Sequence, residues 1–437
     1  MAQFRIDSHQ YLPQEKTLFE VVMLADQYGN QVGPANPTGM AVDAFGRARM
    51  STPLTLFDSS HRFKDNGLWN TANTSGNSTF AFSSTEGLIN MNVTTAANAE
   101  VVRETTKVFS YQPGKSLQIL TTFVMNTAKP NLRQRVGYYG TDNGIYLELD
   151  GSTLSFVQRS NTTGTITETR VNQADWNMDT LLGPVASSPS GITLDISKAQ
   201  ILFIDVEWLG LGTVRCGFVI DGQLIHCHSF HHANLITSTY MTTASLPLRQ
   251  EIKNTAVTAN NSTMKQVCSS VISEGGYELR GSQQGVGTVI TAPKALATAG
   301  TYYPVVSIRL KSTALDAIVI MTALSILGRG NGVDFNWQVI TGGTVTTSSW
   351  TPASADSAVE YTISGTAITG GRVMASGYVN SSTQASPSID VLKEALFKFQ
   401  LERNTFTGVA TPLTLAIAAG TDTSTCFGAM DWEEVTR

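Results

Sequence analysis

The stretch Gly191–His232, GITLDISKAQILFIDVEWLGLGTVRCGFVIDGQLIHCHSFHH, decides the fold class. Ile201 to Trp208 is an apolar run broken only by Asp205 and Glu207. It is rich in β-branched and aromatic types and too short to span a membrane, so it reads as a buried strand. Gly210 and Gly212 supply a turn, because glycine takes positive φ at no steric cost. Val214, Cys216, Phe218 and Ile220 then alternate with Arg215, Val219 and Asp221. Asp221-Gly222 is a type I′ hairpin signal, after which Leu224, His226, His228 and Phe230 share one face of a returning strand. Three antiparallel strands in succession make a meander.

The same grammar recurs outward from this stretch. Ile145 to Leu149 turns at Asp150-Gly151 into Thr153 to Gln158. Short strands are expected at Glu104 to Tyr111, Ser116 to Met125, Thr163 to Val171, Met264 to Gly276, Tyr303 to Leu310 and Arg372 to Val379. A single helix is expected to about Ala395, opened by Ser386-Pro387. Strands with turn signals throughout predict an all-β fold. We expect an N-terminal extended arm over 1–56, a jelly-roll β-sandwich over 57–282 and a second β-sandwich over 283–437. The boundary falls in a Gly-, Thr- and Ala-rich run. The arm has little periodicity and is expected to order only by lying on the rest of the chain or on a neighbouring subunit.

Charged residues make up 14% of the 437-residue chain, against roughly 25% in ordinary soluble domains. Ser, Thr, Asn and Gly fill the gap, which suits sandwich surfaces and surfaces that pack into an assembly. A net charge of −5 argues against nucleic-acid binding as the main task. The opening MAQFRIDSHQ has no apolar signal-peptide core, and Ala317 to Leu327 falls short of the ~20 apolar residues of a membrane helix. The four cysteines show no CxxC spacing, and Cys216 and Cys227, flanking the Asp221-Gly222 turn, are expected as a reduced, buried pair.

The order of long strand, turn, strand ending in Asp-Gly and return strand resembles the jelly-rolls of the concanavalin and laminin-G type. Four stretches carry a more particular resemblance: Ser51 to Thr71, Arg103 to Met125 (beginning RETTKVFSYQPGKS), Arg135 to Gly151 and Ile192 to Gly222. Together they resemble virion structural proteins of tailed bacteriophages, of the kind found in large phages of cyanobacteria and other aquatic bacteria. The resemblance implies a non-enzymatic component of a phage particle, assembled in the host cytoplasm and located in the virion. A tail, baseplate or fibre position is favoured over head decoration or a head fibre. The implied partners are other virion proteins and further copies of the chain, with a trimer favoured.

Candidate chemistry is sparse. His226 and His228, at i and i+2 on a strand, would face one way and offer a Zn²⁺ or Fe²⁺ pair. Three such pairs on a threefold axis would give six nitrogens. Shared placement with Leu224 and Phe230 favours hydrogen-bonded or interfacial imidazoles instead, so no cofactor is required. Asp205 and Glu207 would share a face with Cβ atoms about 6–7 Å apart, a separation that could serve a glycosidase. No second sugar-binding signal accompanies them, and no catalytic residue is assigned. Arg133 and Arg135 with Tyr138 and Tyr139, and the pair His231 and His232, are candidate contacts to a host-surface glycan or to another subunit. The functional alternatives are therefore a particle component, a carbohydrate-binding host-recognition module and, more remotely, a glycosidase.

Overall fold

The computed structural model describes residues 51–436 apart from 75–76, 347–348 and 383–397, together with a two-residue ladder of Leu24–Ala25 with Gln31–Val32. The chain divides into a unit over Met1–Thr52 and a larger one over Pro53–Arg437. The helix expected at 386–395 and most of the arm lie outside the described residues. Within them the protein is all-β, its helical residues confined to a 3₁₀ turn at Gln173–Asp175 and to Lys398 and Phe399, and no helix is long and apolar enough to cross a membrane.

Two antiparallel sheets face each other in the first half of the larger unit. A seven-stranded sheet runs in the order Thr167–Asn172, Thr153–Ser160, Gly144–Asp150, Leu132–Tyr139, Leu248–Asn254, Glu100–Thr105 and Trp69–Thr74. Opposite it lie Gln223–Phe230, Val214–Ile220, Gln200–Val206, Leu117–Val124, Ser262–Ser273, Leu88–Val93 and Thr79–Ser83. Leu54–Ser60 adds an eighth strand by pairing with the far half of Ser262–Ser273. The meander is present: Leu202 pairs with Phe218, Phe218 with Ile225, and Ile204 with Ile119 on the other side. Period-2 alternation sends Leu202, Ile204, Val206, Phe218, Val136, Ile145, Leu147 and Phe156 into one core.

The two hairpins are closed differently. Ile220 pairs with Gln223, and both Asp221 (φ 51) and Gly222 (φ 76) take positive φ, the type I′ geometry. The earlier hairpin is shifted by one residue from its expected place. Asp150 pairs with Thr153, so Gly151-Ser152 forms the loop, and only Gly151 (φ 61) takes positive φ. A glycine in the first loop position selects a type II′ turn.

The second half holds a core of its own, running from Leu296 to Trp432. Its six-stranded sheet runs Thr351–Pro352, Val359–Thr362, Tyr303–Leu310, Leu413–Ala419, Asp334–Thr341 and Arg372–Asn380. A four-stranded sheet is built on the long terminal strand Ser424–Thr436, which Ile318–Arg329 pairs along one side while Ser282–Gly287 and Lys294–Leu296 pair along the other.

The two sandwiches are welded along one strand edge. Arg403, 2% exposed, donates Nη1 to Thr105 O at 2.7 Å and pairs its Nη2 with Glu104 at 2.9 Å, and its own N–H donates to Thr106 O at 2.9 Å. Gln400 Nε2 donates to Val108 O at 2.8 Å, and Lys107 lies 3.7 Å from Glu402. Val108 closes an apolar cluster with Ile318 and Ile320. The expected strand from Glu104 to Tyr111 therefore stops at Thr105. Beyond it the Thr106 and Val108 carbonyls turn to the second sandwich, while the N–H groups of Thr106 and Phe109 stay with the first on Leu68 O and Leu246 O.

Candidate functional sites

Three places gather the chemistry-bearing residues. The first is at the end of the meander. Asp205 points away from the core on Gln200–Val206 and stands opposite Arg215, whose Nη2 donates to it. Glu207 lies one residue past the strand, exposed, with its carboxylate accepting from Thr213 N–H at 3.3 Å. Both line a cleft of about 420 Å³ with Tyr111, Lys115, Ser116 and Arg215. Glu274, brought in from a distant part of the chain, accepts from the Ser116 hydroxyl beside it. Burial raises the Asp205 pKa; Arg215 opposes the shift, while Glu274 and Glu207 add to it. The carboxylate is thus an acceptor already held by an arginine. Sequence spacing alone found Asp205 and Glu207. Lys115, Ser116 and Glu274 reach the cleft only through sheet pairing.

The second place is the histidine-rich strand, where the structure corrects the sequence reading. The ladder slips between Cys216 and Gly217, so Gly217 pairs with His226 and Cys216 with His228, leaving Cys227 as the extra residue of a bulge. Gly217 faces outward, since a Cβ there would strike the Phe203 ring at 2.7 Å, whereas Cys216 is in the core. The bulge therefore sends His226 and His228 to opposite sides of the sheet. His226 Nε2 lies 2.9 Å from Ser229 Oγ, and His228 packs edge-on against Phe230 at 4.6 Å between centroids. Among the described residues, no group of three His, Cys, Asp or Glu side chains is arranged to hold a metal ion. Burial, reinforced by His226 and His231, lowers the His228 pKa to about 4. Cys216 and Cys227 are both buried free thiols.

His231 and His232 separate as well. His231 lies exposed, 3.4 Å from Thr213 Oγ1. His232 is buried, stacked on Tyr240 at 3.9 Å, with Nδ1 2.6 Å from Gly212 O and Nε2 2.7 Å from the Gln158 amide. Burial lowers its pKa, and both ring nitrogens are engaged, Nδ1 by Gly212 O and Nε2 by Gln158 Oε1. That ring is a packing element, with no free nitrogen to offer.

The third place is the outer face of the seven-stranded sheet. Alternation splits the Arg135, Tyr138 and Tyr139 set. Tyr138 lies in the core, its hydroxyl 2.7 and 2.6 Å from the carbonyls of Phe109 and Ala244, which excludes it as an external contact. Arg135 and Tyr139 face outward, yet both are covered. The Tyr139 and Tyr146 rings pack 4.5 Å apart beneath Arg135, Arg159 and Arg249, each within 6 Å of a ring centre. These arginines join a ladder of carboxylates: Arg135 to Glu148 at 2.6 Å, Arg170 to Glu148 at 2.7 Å, Arg159 to Glu168 at 2.6 Å and Arg133 to Glu251 at 3.0 Å. Burial raises Glu168, but hydrogen bonds from Tyr146 and Arg159 outweigh it and bring its pKa down to about 2. Burial also raises Glu251, and Arg135, Arg133 and Arg249 reverse the shift.

No known family model matches the chain, and no curated protein sequence does so either. Among solved structures, the chain is similar to the carbohydrate recognition domain of Emp47p, at 12% identity over 53% of this chain and 99% of that one, with a TM-score of 0.32. It is also similar to a carbohydrate esterase from Shiga toxin-encoding bacteriophage phi24B, at 12% identity over 51% of this chain and 99% of that one, TM-score 0.32. A third similarity is to the CBM2 module of the evolved Dit of Lactobacillus casei phage J-1, at 7% identity over 53% of this chain and all of that one, TM-score 0.32. At these TM-scores the likenesses decide nothing about activity.

Proposed function

We propose that the chain is a non-enzymatic structural component of a tailed-phage particle, self-associating and docked through its N-terminal residues, in a tail, baseplate or fibre position. The weld carries this reading. The stretch Arg103 to Met125 resembles phage virion proteins, and its Glu104–Val108 segment locks the two sandwiches into one body through Arg403, Gln400 and Glu402. A particle component needs its domains held in a fixed relation, and buried ion pairs between domains supply that registry. The acidic pair Asp205 and Glu207 has one member bound to Arg215, an arrangement suited to accepting hydrogen bonds.

An edge of the six-stranded sheet is the place we assign to self-association. The edge Thr167–Asn172 is protected by its ion-paired Glu168 and Arg170, and Gln223–Phe230 is capped where Asn177 bonds the main chain of Ser229 and Met178 and Asp179 donate to Cys227 O. Arg372–Asn380 ends the six-stranded sheet over nine residues with no lysine or proline and no further strand beyond it among the described residues. Such an edge is a template for a strand of a second copy. Native mass spectrometry of the full chain is expected to show a closed oligomer, shifted towards monomer in Ser376→Pro. A monomer at high concentration in the unaltered chain would overturn the reading.

A further inference from the structure

We infer that the outer face of the six-stranded sheet binds a neutral saccharide chain, with the Tyr378 ring as its stacking platform. The inference does not depend on the particle reading. Register places two rows across this face. In one, Asn336 lies between Tyr378 and Ala418; in the other, Gln338 lies between Ser376 and Ala416. The alternate residues Phe335, Trp337, Val339 and Val379 are in the core, so these side chains point away from it. Ala416 and Ala418 keep the floor of both rows low.

Tyr302, just before the strand Tyr303–Leu310, crosses this floor. Its hydroxyl donates to Asn336 Oδ1 and accepts from Gln338 Nε2 at 2.8 Å, while Asn336 Nδ2 donates to Gly377 O at 3.0 Å. Both amides are thereby held in place before any ligand arrives. Gln338 Oε1, the Ser376 hydroxyl and the Tyr378 hydroxyl have no protein partner among the described residues. Tyr378 is 82% exposed, a large aromatic surface left in water beside oriented polar groups.

That combination has one chemical match. A pyranose ring lays its C–H face on an aromatic ring and turns its hydroxyls to amides and hydroxyls at the rim. Neither row contains a charged side chain, which matches an uncharged ligand: a polyanion would meet no cation, and a phosphate backbone no arginine or lysine.

The test is affinity electrophoresis of the full chain through native gels holding hydroxyethylcellulose, galactomannan or xylan, with polygalacturonate as the anionic comparator. Retardation by at least one neutral polymer is expected, weakened about tenfold in Tyr378→Ala and largely kept in Tyr378→Phe, as the loss of one stacking contact predicts. Gln338→Ala should weaken it as well. The Tm of Tyr378→Ala should be unchanged, because the ring is exposed and its removal opens no cavity. No retardation by any of the three neutral polymers, equal retardation of Tyr378→Ala, or binding only to polygalacturonate would each overturn the inference.

Discussion

The outer faces of two sheets in this chain solve the problem of polar surface in opposite ways. On the seven-stranded sheet, arginine, glutamate and tyrosine lie on adjacent strands and consume one another: Arg135 bonds Glu148 and covers Tyr146, and Arg159 bonds Glu168 and covers Tyr139. The face is charged in sequence and closed in structure. On the six-stranded sheet, asparagine, glutamine, serine and tyrosine have no such partners, and alanines keep the surface low. Across Asp334–Thr341 and Arg372–Asn380 that face is bland in sequence and open in structure, whereas its far side carries the Arg309–Glu360 pair. Charge that is fully paired at short range stiffens a sheet without offering a ligand anything; uncharged polar groups left half-satisfied can still be bound.

The strongest way to break this contrast is to remove one member of the closed face. Arg135→Ala leaves Glu148 with Arg170 alone and Glu251 with Arg133 and Arg249, and a loss of about 3 kcal/mol of stability, the low end for breaking a buried pair, is expected in denaturant unfolding. A loss below ~1 kcal/mol would mean that the ladder is a solvated surface network. A smaller effect is expected at the weld. Arg403→Ala removes the charged bond to Glu104, which retains Arg249 at 3.3 Å, so about 1.5–3 kcal/mol should be lost. Calorimetry should then show the two sandwiches melting in separate transitions, whereas an unsplit transition would show that the apolar cluster at Val108 suffices to couple them.

Acid should sharpen the contrast most gently. The folded pKa of Glu168, about 2, lies below its ordinary 4.5, so its contribution is complete above the ordinary value and is lost as pH falls towards 2. His228, folded near 4 against an ordinary 6.5, binds its proton more readily when unfolded. Its contribution to the pH dependence is a loss of stability as pH falls from 6.5 towards 4. A stability profile measured from pH 7 to 2 should show both windows, with His228→Gln flattening the upper one alone. An unaltered upper window in that variant would refute the assignment.

Much of the fold could be read from residue order because strand alternation and hairpin chemistry are local. Ile201 to Phe230 specifies three strands and their shared core face, and Asp221-Gly222 specifies its own turn through two positive φ values. The sites were less legible. The His226 and His228 pair was read on a strict period of two, which the bulge at Cys227 breaks; no local signal in IHCHSF marks that slip, because it arises from pairing with Cys216 and Gly217. Likewise Tyr138 and Tyr139 are identical in sequence and fall on opposite sides of a sheet. The Tyr302, Asn336, Gln338 and Tyr378 face could not be read at all, since its members come from two strands and the residue before a third, separated by up to 76 positions.

The sequence by itself determined the all-β class, the meander and, where no bulge interrupts a strand, which of its residues face the same way, since those follow from side-chain period and turn sterics over a few residues. Tertiary structure alone decided which outward faces are closed and which are open. That outcome rests on which strands become neighbours, and so on whether an arginine finds a glutamate or a glutamine finds only an uncharged hydroxyl.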